Sequence, residues 1–354
     1  MKKYDNIQVF RVLACLGVFV THLSPRMGAT GWAAKAANFG ASGVYLFFLI
    51  SGFLACGSTD IAPDCERRGI FTYYAKRLFR ILPLYYVVIL YNMALHGLLL
   101  QDVPPDPAGL AWLRYFFLTN AFIPGPDNFW SNLSATWTVS LFCFFYLCAP
   151  LFVRLIAGKK GTQDRTPEGK VLRAALLYLA VLLLRYIWVG AGLSSYMMAF
   201  YYLHFFVLGM LVYALQEAYR PLAAALKFGV FALALGGLLW LSGAGNDYFT
   251  MISWIFAILI LISGRFSWRR DEKGQLCYAA RVIGVLDAHS YAVYLVHAVV
   301  IDGIALLQAH VNLTGAAVLG TAVVLTAIGA YFARRLIEKP AGKLGRRLVT
   351  GVRI

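Results

Sequence analysis

Ile7-Gln8-Val9-Phe10-Arg11-Val12-Leu13-Ala14-Cys15-Leu16-Gly17-Val18-Phe19-Val20-Thr21-His22-Leu23 reads as a membrane helix, yet it carries an arginine and a histidine. A run of about 17 to 25 apolar residues crosses the roughly 30 Å hydrocarbon core of a bilayer. An arginine near the middle of such a helix costs about 2.5 to 3.5 kcal/mol on insertion scales, so ionisable residues inside spans face a protein interior or a wet cavity. Arg11 and His22 are eleven positions apart. At about 100° per residue this amounts to three turns plus roughly 20°, so the two share one helix face, about 16 Å apart along the axis. The geometry suits a path through a membrane, with a cation near one mouth and a titratable imidazole deeper in. The competing reading has Arg11 snorkelling to the near headgroups and His22 packing in the far interface.

Nine more apolar runs follow, at about 39–56, 82–100, 134–153, 174–190, 197–215, 225–242, 248–264, 283–306 and 314–333. The chain has 354 residues, 60% hydrophobic and 14% charged, which takes it out of the soluble globular class. The expected fold is therefore all-α: a polytopic integral membrane protein with about ten transmembrane helices. Lys2 and Lys3 precede a run that lacks a small-residue cleavage site, so the first helix is expected to stay in the mature protein.

The net charge of +16 might point to nucleic acid, but its placement explains it otherwise. With a cytoplasmic N-terminus, 27 of the 32 Lys and Arg fall on the inner side, and only Arg26, Lys35 and Arg114 fall outside. The positive-inside rule then places both termini in the cytoplasm, and no nucleic-acid partner is expected. The six cysteines (Cys15, Cys56, Cys65, Cys143, Cys148, Cys277) lie within spans or on that inner side, so no disulfide is expected. No Cys/His ligand spacing appears, and no metal is expected.

In the second run, Ser51-Gly52 interrupts bulky side chains at Phe47 to Leu54. Small residues allow another helix to approach closely, so a packing notch and a substrate contact are both open. At the third, Lys76-Arg77-Leu78-Phe79-Arg80 places Arg77 and Arg80 on one face. Such a pair suits a polyanion such as a nucleotide diphosphate, and equally a positive-inside anchor. Between the third and fourth runs, Gln101 to Leu133 contains an apolar piece, Trp112 to Phe122, too short to span and read as interfacial or re-entrant. Arg185 and His204 fall inside spans; the first needs a cavity or partner, and the second reads as a hydrogen-bonded packing residue.

Taken in order, several stretches resemble the membrane-bound acyltransferase 3 family, which includes O-acetyltransferases of bacterial surface polysaccharides. Arg11-x10-His22 resembles its first-helix signature, Phe47 to Leu54 its FFxxSGF segment, and Arg77-x2-Arg80 with Pro83 its RxxR region. Phe117 to Asn120 is similar to FLxN, Ser290 to His297 (with Tyr294) to SYxxYLxH, and Ile337-Glu338-Lys339-Pro340 to IExP. The family's WSLxxE pattern is matched by Trp137 and Ser140, but Phe142 stands where that pattern has glutamate. Within spans a replacement carboxylate is scarce, and Asp302, five residues past His297, lies about 140° around the helix from it.

The resemblance implies a single acyltransferase domain over residues 1–354 with no appended soluble domain, in the bacterial inner membrane. It implies transfer of an acyl group, acetyl foremost, from acyl-CoA such as acetyl-CoA to a hydroxyl of a carbohydrate or lipid-linked glycan, in contact with membrane lipid and with no permanently bound cofactor. His22 is then the general base, because a neutral imidazole accepts the hydroxyl proton. Arg11 joins it as a catalytic candidate at the CoA entry, with Lys76, Arg77 and Arg80 beside it as donor-binding residues. Ser51, Gly52, Asn120, Trp137, Ser140, Tyr294, His297 and Glu338 are substrate or structural motif positions. Ten spans with intramembrane Arg and His also fit a transporter or flippase of a lipid-linked sugar, and the missing glutamate fits a non-catalytic member of the same fold.

Overall fold

A computed structural model describes residues 4–62, 67–100, 110–122, 131–158, 165–191, 198–241, 248–268, 270 and 275–351. Cys65 and most of the stretch from Gln101 to Trp130 lie outside these residues. Among the described residues thirteen α-helices follow one another: α1 (Asp5–Leu23), α2 (Gly31–Phe39), α3 (Gly43–Cys56), α4 (Arg67–Asn92), α5 (Leu110–Phe116), α6 (Trp137–Ala157), α7 (Pro167–Gly190), α8 (Met198–Ala218), α9 (Pro221–Leu241), α10 (Tyr248–Ile262), α11 (Tyr278–Gln308), α12 (Gly315–Ala333) and α13 (Lys339–Gly351). A π-helical turn, Met93–Leu99, extends α4, and another, Arg334–Glu338, joins α12 to α13. Among the described residues the only β-type pairing is one isolated bridge between Arg270 and Leu276. Helices satisfy every backbone donor and acceptor within one segment, which is what a bilayer demands.

Among the described residues nine helices are long and apolar enough to cross a membrane. The expected span that falls short is the eighth, 248–264: α10 has 15 residues, and at about 1.5 Å per residue it reaches about 22 Å, short of the roughly 30 Å core. A turn over Ser263 and Gly264, with Gly264 N–H donating to the Leu261 carbonyl, closes its far end. The second span is longer than expected, since α2 and α3 are joined by the 3₁₀ turn Gly40–Ser42 into one segment, Gly31–Cys56. The expected start at Phe39 leaves α2, with Lys35, outside the span.

Burial sorts the helices into centre and rim. In α8, 72% of the most apolar stretch is buried, against 22% in α9. Leu222, Leu226, Val230 and Leu233 recur at helical spacing on the exposed side of α9, where an apolar face meets lipid. At the centre, α3 and α8 meet without side chains between them: a Cβ on Gly52 would lie 1.8 Å from the Phe206 carbonyl oxygen, and one on Gly209 1.8 Å from that of Leu49. Tyr45, Phe48, Trp137, Phe142, Tyr202 and Phe206 pack around this crossing as an aromatic cluster.

Against this centre, α1 and α11 run side by side in the same direction. Arg11 meets Asp287, the Cys15 thiol reaches the Ser290 carbonyl at 3.5 Å, and His22 meets His297. Partners rise together along both helices, so the pair is parallel.

Candidate active site

Two rungs of polar side chains connect α1 and α11. At the first, Arg11 Nε lies 2.9 Å from Asp287 Oδ1, and Arg11 Nη2 donates to Asp287 Oδ2 at 3.0 Å. At the second, His22 Nδ1 is 2.8 Å from His297 Nε2. Eleven residues separate Arg11 from His22 and ten separate Asp287 from His297, which at about 1.5 Å per residue makes the rungs about 15 to 16 Å apart on both helices. Asp287 is the residue that sequence reasoning missed, although it lies inside the expected span 283–306. The criterion that singled out Arg11, an ionisable group within an apolar run, selects Asp287 equally.

The Arg11 rung opens onto a cavity of about 570 Å³ lined by Gln8, Ser58, Asp60, Lys76, Arg77 and Arg80, with Arg11 itself in the wall. Among the described residues four cations line it, and one carboxylate, Asp60. Lys76 Nζ pairs with that carboxylate at 2.9 Å, so its charge is already answered by protein. Arg77 instead lies over two rings, its guanidinium carbon 5.1 Å from the centroid of Tyr146 and 5.4 Å from that of Tyr73, which holds the guanidinium at the wall of the cavity. The π turn and α13 pack on α4, with Gly345 against Phe79, and bring Glu338 within electrostatic reach of Arg80 and Arg334.

A second, narrower cavity of about 100 Å³ shares Arg11, Leu54, Arg77 and Arg80 with the first. Its walls turn apolar and aromatic beyond them, with Phe47, Phe142, Tyr146 and Tyr294, and Ser51 and Ser290 among the few hydroxyls. Phe142, which replaces the family's glutamate, is part of this apolar wall and packs edge-on to Phe48 and Phe206. The narrow cavity ends at Tyr294, whose hydroxyl is 2.9 Å from that of Thr138. One turn further along α11 stands His297, its ring 5.8 Å from that of Tyr294. A basic vestibule, an aromatic neck and a histidine pair thus follow one another along α1 and α11.

The remaining motif residues brace this path. Ser140 donates to the Asn120 side-chain oxygen and Asn120 Nδ2 reaches Thr136 Oγ1 at 3.4 Å, tying the segment after α5 to the start of α6. Trp137 packs on Tyr202, ring centroids 5.0 Å apart, and on Phe48, away from the cavities. Gly52 lies at the α3–α8 crossing, one residue past the cavity-lining Ser51. A separate polar cluster surrounds Arg185, which stacks 4.4 Å from the Tyr201 centroid and donates to its hydroxyl at 3.0 Å; fully buried His204 donates from Nδ1 to the Tyr201 carbonyl at 2.8 Å. Asp302 pairs with His96 at 2.9 Å and not with His297. Among the described residues no group of three or more His, Cys, Asp or Glu is placed to hold a metal ion.

A family model described as an acyltransferase domain, Acyl_transf_3, matches residues 4–335. The exopolysaccharide production protein ExoZ of Rhizobium meliloti (strain 1021) is 26% identical over 318 residues, covering 87% of this chain and 92% of ExoZ. Acyltransferase MdmB of Streptomyces mycarofaciens is 26% identical over 164 residues, covering 44% of this chain; the match spans only 40% of the length of MdmB. No solved structure matches the chain.

Proposed function

The chain belongs to the acyltransferase 3 family, whose model spans residues 4–335, and from that premise we propose that it transfers an acyl group, acetyl foremost, from acyl-CoA to a hydroxyl of a surface polysaccharide or its lipid-linked precursor. The observation that carries this reading is that the two cavities share Arg11, Leu54, Arg77 and Arg80 in their walls. A coenzyme A thioester has a polyanionic head and a slender, uncharged arm. The vestibule supplies guanidinium groups for the phosphates, and the neck supplies apolar walls for the arm. The near-complete coverage of ExoZ, a protein of exopolysaccharide production by its name, supports a carbohydrate acceptor.

In this mechanism Arg77 and Arg80 hold the phosphates, and Arg11, kept in place by Asp287, guards the passage from vestibule to neck. His22 takes the proton of the acceptor hydroxyl as its oxygen attacks the thioester carbonyl. The carbon–sulfur bond then breaks, and the departing thiolate receives the proton from His22, so no net proton is produced. A base placed in this way contributes about 10² to 10⁴ in rate. With the N-terminus cytoplasmic, the vestibule faces the cytoplasmic pool of acyl-CoA and the histidine pair lies toward the outer half of the bundle. Direct transfer along the neck and a covalent relay on His22 both fit this arrangement.

The test is mass spectrometry of surface glycans from cells with and without the gene, joined to an in vitro assay with acyl-labelled acetyl-CoA and the extracted glycan. Label appearing as an ester on the glycan, and a matching ester lost with the gene, is the expected outcome. Identical glycans in both strains, with all label remaining on CoA, would overturn the reading.

A further inference from the structure

The histidine pair is more sharply defined than a hydrogen bond between two rings of open protonation. The ring planes of His22 and His297 are 12° apart and the centroids 5.1 Å apart, while Nδ1 of one is 2.8 Å from Nε2 of the other. Two imidazole radii and that gap account for the whole centroid separation only if both nitrogens lie on the line joining the ring centres. The rings are therefore coplanar and edge to edge, with an N–H of one aimed at the in-plane lone pair of the other.

The direction of that bond follows from the far side of His297. Its Nδ1 is 3.1 Å from the Val293 carbonyl oxygen, four residues back on the same helix. A carbonyl only accepts, so Nδ1 of His297 carries a hydrogen. His297 is 1% exposed, and no carboxylate hydrogen-bonds either ring among the described residues, so a second proton would put an unanswered charge in the interior. The neutral ring has a bare Nε2. The proton in the 2.8 Å contact then belongs to His22 Nδ1, and the remaining nitrogen of His22, Nε2, is bare as well.

We infer that His297 is a positioning residue: by accepting from His22 Nδ1 it fixes the His22 tautomer and makes Nε2 the basic nitrogen offered to the acceptor hydroxyl. The inference rests on the reading of His22 as the base. The relay Val293 carbonyl, His297, His22 plays the part that a buried carboxylate plays behind a catalytic histidine elsewhere, orienting the ring and selecting its tautomer. The difference is that a neutral imidazole orients without adding a negative charge at membrane depth. The ring of Phe19, 6.2 Å from that of His297 and set at 61° to it, and the ring of Tyr294 hold the relay from two other sides. His22 itself is half-buried, and its Nε2 is not among the fully buried side-chain nitrogens that have no partner.

Nitrogen-15 NMR of full-length, histidine-labelled protein in detergent or bilayers reads the tautomer directly, with His22 assigned by its loss in His22→Ala. The expected signal from His22 is a protonated Nδ1 and an unprotonated Nε2. In His297→Leu the tautomer should shift toward protonated Nε2 and glycan acylation should fall by about 100-fold, the low end of what a positioned base contributes. His297→Gln, whose amide oxygen can accept from His22 Nδ1, should restore the tautomer and at least a tenth of the rate. A His22 carrying its proton on Nε2 in the wild-type protein overturns the inference, and so does an unchanged tautomer in His297→Leu. If the tautomer is as inferred and His22→Ala still acylates at the full rate, the assignment of the relay stands and the proposed catalytic role of His22 is what fails.

Discussion

Arg11 and Asp287 form a two-pronged ion pair, at 2.9 and 3.0 Å, that fastens α1 to α11 where the vestibule narrows. Its side chains are 20% and 9% exposed, so neither charge is well hydrated. Each group is tolerable there because the other is present. The pair also fixes the register of the two parallel helices, which in turn sets His22 opposite His297 about three turns further on.

Asp287→Ala should therefore cost stability as well as activity. Removing one partner of a buried pair costs about 3 to 5 kcal/mol, and the partial exposure of Arg11 puts the expected loss near the lower figure. The double variant Arg11→Met, Asp287→Leu should recover most of it, because an apolar pair replaces the uncompensated charge. Thermal unfolding of the purified variants in detergent reads both; a single variant melting with the wild type would show that the pair carries no structural weight.

The contrast between Arg11 and Asp287 shows how far the sequence is legible. Helices were readable because apolar runs of membrane length have few other outcomes, and the Arg11–His22 spacing was readable because both sit on one helix. Their partners were not. Asp287 and His297 come 276 and 275 residues later in the chain, respectively, and periodicity within a helix says nothing about which helix lies beside it. The second span is expected to start at Phe39 but starts at Gly31, for a related reason: Lys35 reads as an outer charge until α2 is seen to continue into α3. Gly52 had two open readings, and the 1.8 Å approach of the Phe206 carbonyl gives it a packing reason that no local pattern contained.

Donor binding should depend on the shape of Arg77 as well as on its charge. Its guanidinium lies over the rings of Tyr73 and Tyr146, and an ammonium does not offer the two-pronged grip on phosphate that a guanidinium does. Arg77→Lys should lose about tenfold in acetyl-CoA affinity, and Arg77→Gln with Arg80→Gln about 100-fold or more, or roughly 1.4 and 2.7 kcal/mol. Lys76→Gln should lose much less, since Lys76 is already paired with Asp60. Calorimetric titration of acetyl-CoA into the folded variants measures this; wild-type affinity in the double Gln variant removes the vestibule from donor binding.

Orientation is open to a direct check. Cys277 is exposed just before α11, and Asn312 lies in the turn between α11 and α12, at the opposite end of a 31-residue helix. If the side that carries 27 of the 32 basic residues is the inner one, a membrane-impermeant maleimide should label Asn312→Cys in intact cells and reach Cys277 only after permeabilisation. Labelling of Cys277 in intact cells would invert the protein and turn the vestibule away from cytoplasmic acyl-CoA.

His22 has the most exacting prediction, because three outcomes must coincide. The vestibule and neck contain no atom of His22, so His22→Ala should insert, fold and bind acetyl-CoA with nearly wild-type affinity. Its transfer rate should nevertheless drop by about 100-fold or more. The third outcome concerns pH: the neutral imidazole is the active form, so in the wild type turnover should fall as pH drops, in proportion to the fraction of His22 protonated. A guanidinium is not deprotonated in proteins, so donor binding should not follow the same curve. The residual activity of His22→Ala, whatever its size, should be free of that inflection. A single measurement of turnover and acetyl-CoA affinity against pH, on wild type and variant, separates a base from a binding residue. An inflection that persists in the variant assigns the titration to another group, and an affinity that falls together with rate makes His22 part of the donor site.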